Sequence, residues 1–283
     1  MCKKTGISMD NAIVLIEYTD PYCTWCWGSE PILKRIQEVY GDQVSINYKM
    51  GGLVEDIRDF YDPLNNIGGE TWYIQVADHW LEASRRHGMP VDVSIWYDIK
   101  DDFRSTYPAS IAYKAAEFQD LFLSKIFLRR MREAAAAERL PIHRFEIQLR
   151  LAGEVGLNLE RLAQDIKSGE AERAFLEDLS EARNKGITGF PTFLLRNENG
   201  EEVILHGYQK FKTFEKMIEE LSPSLDKNRI VVNEKTIIDF VKKIWKSSYY
   251  GSRRSIWYHT KRCKRVIRYI KKKETLNRIA SGK

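Results

Sequence analysis

The stretch IVLIEYTDPYCTWCWGSEPILKRI, beginning at Ile13, constrains the fold of this chain more than any other segment. It joins a short, continuous run rich in Ile and Val (Ala12 to Tyr18) to a segment whose apolar residues, Ile32, Ile36 and Val39–Tyr40, recur at helical spacing. The first half reads as a buried strand and the second as a helix that ends at Gly41. Pro31 falls inside that helix, where its ring removes one amide donor and is expected to kink it. Val44 to Met50 (VSINYKM) alternates as a second strand, closed by Gly51–Gly52. The chain therefore opens β–α–β, and Cys23 and Cys26 sit at the first strand-to-helix turn.

From about Asp56 to Lys185 the pattern is helical: Tyr73–Arg86, Ala109–Glu117, Leu121–Glu138, Arg144–Glu154, Leu159–Ser168 and Ala171–Asn184. Gly88-Met89-Pro90, Pro108, Leu140-Pro141 and Gly156 break it into pieces. Strands return at Thr192–Arg196 and Glu202–His206, joined through NENG (Asn197–Gly200) as a hairpin, and Lys210–Leu221 forms a closing helix. Bringing the β–α–β start together with this β–β–α end gives the thioredoxin order with helices inserted between the halves. The fold class is therefore α/β, a thioredoxin-like fold with a large inserted helical domain. The expected domain limits are 10–55 plus 186–221 for the thioredoxin-like part, 56–185 for the insertion, and 222–283 for a basic helical C-terminal extension.

Three readings compete for Cys23 and Cys26: a redox dithiol, half of a zinc site, or two buried thiols. A zinc site takes four ligands, usually in two close pairs, and Cys2, Cys263 and the five scattered histidines supply no second pair. A redox cysteine needs its thiolate stabilised. Cys23 stands where the unpaired N–H groups and positive dipole end of a helix meet its sulfur. Cys26, one turn on, is expected to lie deeper and face back, as a resolving thiol must. Thr24 and Trp25 between them carry no positive charge. Tyr22 is expected to flank the site, while one of Trp25 and Trp27 lines a substrate groove and the other packs in the core. Far downstream, Phe190-Pro191 in GITGFPTFLL directly precedes a strand and is read as a cis prolyl bond. Phe190, Pro191 and Thr192 are then candidates, with Thr24 and Trp25, for binding substrate backbone beside the cysteines. Glu17 interrupts an apolar strand six residues before Cys23. Either it is a raised-pKa carboxyl that takes the Cys26 proton, or it reaches the sheet edge as a solvated group or a partner of Lys49.

With "EYTDPYCTWCWG", "STYPASIAYKAA" and "GITGFPTFLL" in place, residues 10–221 resemble the DsbA family of thioredoxin-like proteins, in particular its cytoplasmic FrnE-like, or predicted dithiol-disulfide isomerase, branch. The resemblance implies Cys23 as attacking thiol, Cys26 as resolving thiol, Pro191 as the cis proline and Glu17 as the buried acid. It implies thiol-disulfide oxidoreductase or isomerase activity without an external cofactor, with glutathione or a thioredoxin-type partner recycling the dithiol. The DP.C.WCW form is also similar to the YjbH branch, adaptors that present a transcription regulator to the ClpXP protease. Kappa-class glutathione transferases and chromene-carboxylate isomerases carry serine where this chain has Cys23. Thr24 departs from the proline often found at its position.

Composition restricts the remaining classes. The hydrophobic fraction of 43% and aromatic fraction of 12% exclude a disordered chain, and no apolar run approaches membrane-helix length. The opening MCKKTGISMD lacks the apolar segment of a signal peptide, so a cytoplasmic location and no membrane insertion are expected. Lys and Arg number 27 against 36 Asp and Glu in residues 1–221, but 18 against 4 in residues 222–283. So basic a tail, with amphipathic spacing in EKTIIDFVKKIWK (234–246) and a second apolar face over 263–270, is suited to an acidic protein partner, to the acidic body itself or, through Trp257 and Tyr258 among its basic residues, to nucleic acid. The main partner is expected to be a protein or small-molecule thiol or disulfide.

Overall fold

The computed structural model describes residues 12–229 together with Lys235 and Thr236. Apart from those two residues, the expected helix over 234–246 and the apolar face over 263–270 lie outside the described residues, as do Cys2 and Cys263.

Strand β1 (Ile13–Thr19) leads into helix α1 (Thr24–Tyr40) and strand β2 (Val44–Met50). A two-residue pair, β3 (Tyr61–Asp62) and β4 (Ile67–Gly68), follows. The helical block comprises α2 (Trp72–His87), α3 (Ser94–Ile99), α4 (Tyr107–Glu117), α5 (Leu121–Glu138), α6 (Phe145–Val155), α7 (Leu159–Lys167) and α8 (Glu170–Asn184). Strands β5 (Thr192–Asn197) and β6 (Glu202–His206) and helix α9 (Phe211–Leu221) complete the order. The main sheet runs β2-β1-β5-β6, with β1 parallel to β2 and antiparallel to β5. The parts on either side of the helical block thus meet across the β1–β5 ladder, and Pro31 is accommodated inside α1.

The period-2 alternation of β1 decides what each residue meets. Ile13 and Leu15 face α1 and α9 and pack with Leu33, Ile36, Phe193 and Phe214. Tyr18 faces the other way and packs with Ala182, Ile187 and Leu194. A larger core inside the helical block contains Trp72, Trp80, Trp96, Phe103, Phe127 and Leu151. Local chemistry fixes the helix ends. Asp120 caps α5 by accepting from Phe122 N and Leu123 N, and Asn158 caps α7 through Arg161 N. Gly88 and Gly156 close α2 and α6 at φ 77° and 87°, in the left-handed region where a Cβ is disfavoured.

Two features escaped the sequence pattern. Helix α3 has only six residues, fewer than two turns, so no period could show. The β3–β4 pair has two residues per strand, and its turn is held by the Asp62 carboxylate, which accepts from Leu64 N and Asn65 N. Residues 222–229 do not extend helix α9. They return along α1, where Asn228 N donates to Val39 O at 2.8 Å and Asp226 and Gln43 exchange two hydrogen bonds. Among the described residues, no helix is long and apolar enough to cross a membrane.

Candidate functional site: the Cys23–Cys26 turn

Asp20 assembles the turn in front of the cysteines. Its carboxylate is fully buried and accepts from Tyr22 N at 2.8 Å, Leu53 N at 2.9 Å and the Thr106 hydroxyl at 2.7 Å. Cys23 N donates to Asp20 O at 3.1 Å, and Gly51 N to Thr19 O at 2.8 Å. One carboxylate therefore ties the end of β1, the loop after β2 and the start of α4 together. Burial pushes its pKa up, while the three donors pull the other way.

Cys23 is the N-cap of α1. Its sulfur accepts from Cys26 N at 3.1 Å and is joined to Cys26 as a disulfide. Cys23 is 5% exposed and Cys26 is not exposed at all. The two sulfurs therefore differ in access, with only the first at the wall of a cleft of about 890 Å³. Thr24 and Trp25 extend that wall, Gly51–Val54 and Thr188–Phe190 form its flanks, and the β3–β4 hairpin overhangs it. The Phe190–Pro191 peptide bond is cis. The ring of Phe190 lies so close on Gly51 that a Cβ there would overlap it.

Of the alternatives left open for Glu17, a solvated edge group and a partner of Lys49 are the two that fail. Glu17 is completely buried, so it is not a solvated edge group. In the β1–β2 register Glu17 stands beside Tyr48, and Lys49 beside Tyr18. Glu17 therefore faces the α1 side, while Lys49 faces α8 and pairs with Asp178 and Glu181. The partner of Glu17 is Arg132 of α5, at 3.3 Å. Arg132 also holds Glu30 of α1 at 2.6 Å and the Thr19 hydroxyl. Loss of solvation raises the Glu17 pKa to about 7 against the attraction of Arg132.

Trp25 and Trp27 separate cleanly. Trp27 is 3% exposed and donates its indole N–H to Pro90 O at 3.0 Å. Trp25 lines the cleft and donates to His79 Nε2 of α2 at 3.0 Å. Tyr22 lines the cleft with its hydroxyl 2.9 Å from His143 Nδ1, and His143 Nε2 lies 3.3 Å from Asp102. Of the residues expected to meet substrate, Thr24, Trp25 and Phe190 reach the cleft. Thr192 does not. It is 1% exposed in β5, with its hydroxyl donating to Gly189 O at 2.8 Å, at the start of a strand that is covered on both faces there. Pro191 is buried, and its carbonyl already accepts from Gly207 N. Sequence reasoning missed Asp20, Thr106, Arg132 and His79. Asp20 carried a signal as the only acid between the strand and the cysteine; Arg132 and His79 come from distant helices and Thr106 from the residue just before α4.

The sequence profile of the thioredoxin family matches residues 17–216. The chain belongs to that family. Two branches of it are represented among its relatives. By sequence, the chain is 28% identical to the ClpXP adapter protein SpxH of Halalkalibacterium halodurans over 209 residues, which are 72% of this chain and 66% of the adapter's length. By structure, it is similar to the cytosolic disulfide reductase DsbM of Pseudomonas aeruginosa, with a TM-score of 0.58, 24% identity, and coverage of 74% of this chain and 100% of that one. The same reductase with GSH gives a TM-score of 0.55 at 22% identity, covering 73% and 99%. That likeness is one of fold. The adapter similarity is thus one of sequence, and the reductase similarity one of fold.

Proposed function

We propose that the protein performs thiol-disulfide exchange on polypeptide partners in the cytoplasm through Cys23 and Cys26. The observation that carries this reading is the bonded pair itself, with one sulfur capping a helix at a cleft wall and the other fully buried behind it. In the reducing direction the Cys23 thiolate attacks a substrate disulfide, forming a mixed disulfide and releasing one substrate thiolate. Cys26 gives its proton to Glu17 and attacks Cys23. This expels the second substrate thiolate and leaves the Cys23–Cys26 disulfide. Two glutathione molecules, oxidised to one glutathione disulfide, restore the dithiol. Read backwards, the same steps oxidise a substrate dithiol. The substrate backbone lies along Thr24, Trp25 and Phe190. The basic segment 222–283 would supply a further contact to an acidic partner.

Trapping tests this. Reduced Cys26→Ser protein offered a peptide disulfide should accumulate a mixed disulfide at Cys23, and Cys23→Ser should form none. Equal adduct on both variants would sink the proposal. The similarity to SpxH favours a second reading, an adapter that presents a client to a protease. On that reading the Cys23→Ser, Cys26→Ser double variant still accelerates client degradation by ClpXP; on the exchange reading it loses its cellular role.

A further inference from the structure

The residues between the cysteines carry no charge, but the helical block places a histidine on one of them, Trp25. His79, in the middle of α2, accepts the Trp25 indole N–H on Nε2 at 3.0 Å, and the rings meet edge to face at 6.0 Å. His87, at the end of α2, stands edge to face with the same indole at 5.9 Å. It lies so close over Gly28 that a Cβ there would overlap the imidazole. Tyr208, after β6, meets both Trp25 and His87. Trp25 is therefore held from two sides by segments remote in sequence, and its only polar atom is directed at one acceptor.

That arrangement bears on the sulfur. The Cys23 thiolate needs the N–H groups of the first turn of α1 aimed at it, and Cys26 N already is, at 3.1 Å. The peptides bearing those groups are fixed only as well as residues 24–26 are fixed. We propose that His79 is a positioning residue for the dithiol: by holding Trp25 it keeps the first turn of α1 aligned on Cys23, so the insertion sets the acidity of the attacking thiol. This rests on the exchange reading above, although its first readout does not require turnover. It also explains how a CxxC without a histidine of its own is served by one from α2.

The experiment uses full-length reduced protein in a Cys2→Ser, Cys263→Ser background. It measures the rate of Cys23 alkylation by iodoacetamide from pH 5 to 9, followed by mass spectrometry of the Cys23 peptide. His79→Leu should raise the pH midpoint of alkylation and slow it at pH 7 by between about 2- and 10-fold, the range for one hydrogen bond. His79→Gln, which offers a carbonyl to the same indole, should restore at least half of the lost rate. Trp25→Phe should reproduce the His79→Leu effect, and the double variant should be no slower than either single one. The indole N–H resonance that disappears in Trp25→Phe should shift in His79→Leu. Wild-type alkylation profiles in His79→Leu and Trp25→Phe, or fully additive effects, overturn the proposal. If His79→Leu does not fold, Trp25→Phe decides alone. A protein that alkylates as expected but never exchanges with glutathione would refute the exchange reading and leave the role of His79 standing.

Discussion

Replacing Glu17 by glutamine sets two opposing effects against each other in one buried cluster. Burial raises the Glu17 pKa from 4.5 to about 7, even with Arg132 at 3.3 Å. Between those two values the folded protein holds a proton that the unfolded chain has released, so stability falls as pH rises through the window. At 1.36 kcal/mol per unit, the loss is about 3 kcal/mol once Glu17 is ionised. Glutamine stays neutral throughout. Its carbonyl can accept from Arg132 and its amide can donate to Thr19, and Arg132 still keeps Glu30 at 2.6 Å, so no buried cation is stranded. Urea unfolding of the oxidised proteins should find Glu17→Gln equal to wild type near pH 5 and more stable by about 3 kcal/mol at pH 8. The reasoning is refuted if the variant is instead less stable at pH 8 by the roughly 3–5 kcal/mol that breaking a buried pair costs. In that case Arg132 outweighs desolvation, and Glu17 is a permanent carboxylate unable to take a proton from Cys26 near neutrality.

Three further substitutions probe the walls of the site. Gly51→Ala drives a methyl into the Phe190 ring, so it should cost about 1–3 kcal/mol in denaturant unfolding and slow exchange with peptide disulfides more than with glutathione; unchanged peptide rates would mean Phe190 does not shape the cleft. Thr106→Val removes a hydrogen bond to the buried Asp20 carboxylate and should destabilise the fold by about 1.5–3 kcal/mol in thermal or urea unfolding, with wild-type stability showing that Leu53 and Tyr22 suffice. Gly28→Ala collides with His87, so it should separate α1 from α2 and change Trp25 fluorescence; an unaltered spectrum would contradict the packing described.

The strands, the cysteine turn and most helices were legible because each rests on a local rule. The apolar run Ile13–Tyr18 needs burial on both faces, Cys23 stands at a helix start, and glycines such as Gly88 and Gly156 end helices. What was not legible depends on which distant residues meet. Glu17 stood out as a carboxylate in an apolar strand, but only the β1–β2 register shows that it turns away from Lys49, and only the approach of α5 supplies Arg132. The side chain of Thr192 lies outside the cleft for the same reason, since other elements cover both faces of β5 there and Thr192, Phe193, Leu194 and Leu195 are all buried. Trp25 and Trp27 differ by two residues on a helix, and so point to different surroundings, one to His79 and the cleft, the other to Pro90.

The central claim is that Cys23 and Cys26 form a working redox pair. Full-length protein equilibrated in graded mixtures of reduced and oxidised glutathione, read by Trp25 fluorescence with Cys23→Ser, Cys26→Ser as the blank, tests it most directly. The account predicts a single two-electron transition in the wild type, absent from the blank, whose midpoint identifies the direction of exchange. A Cys23–Cys26 pair that stays in one state across the whole series, with no glutathione adduct at Cys23, would contradict it.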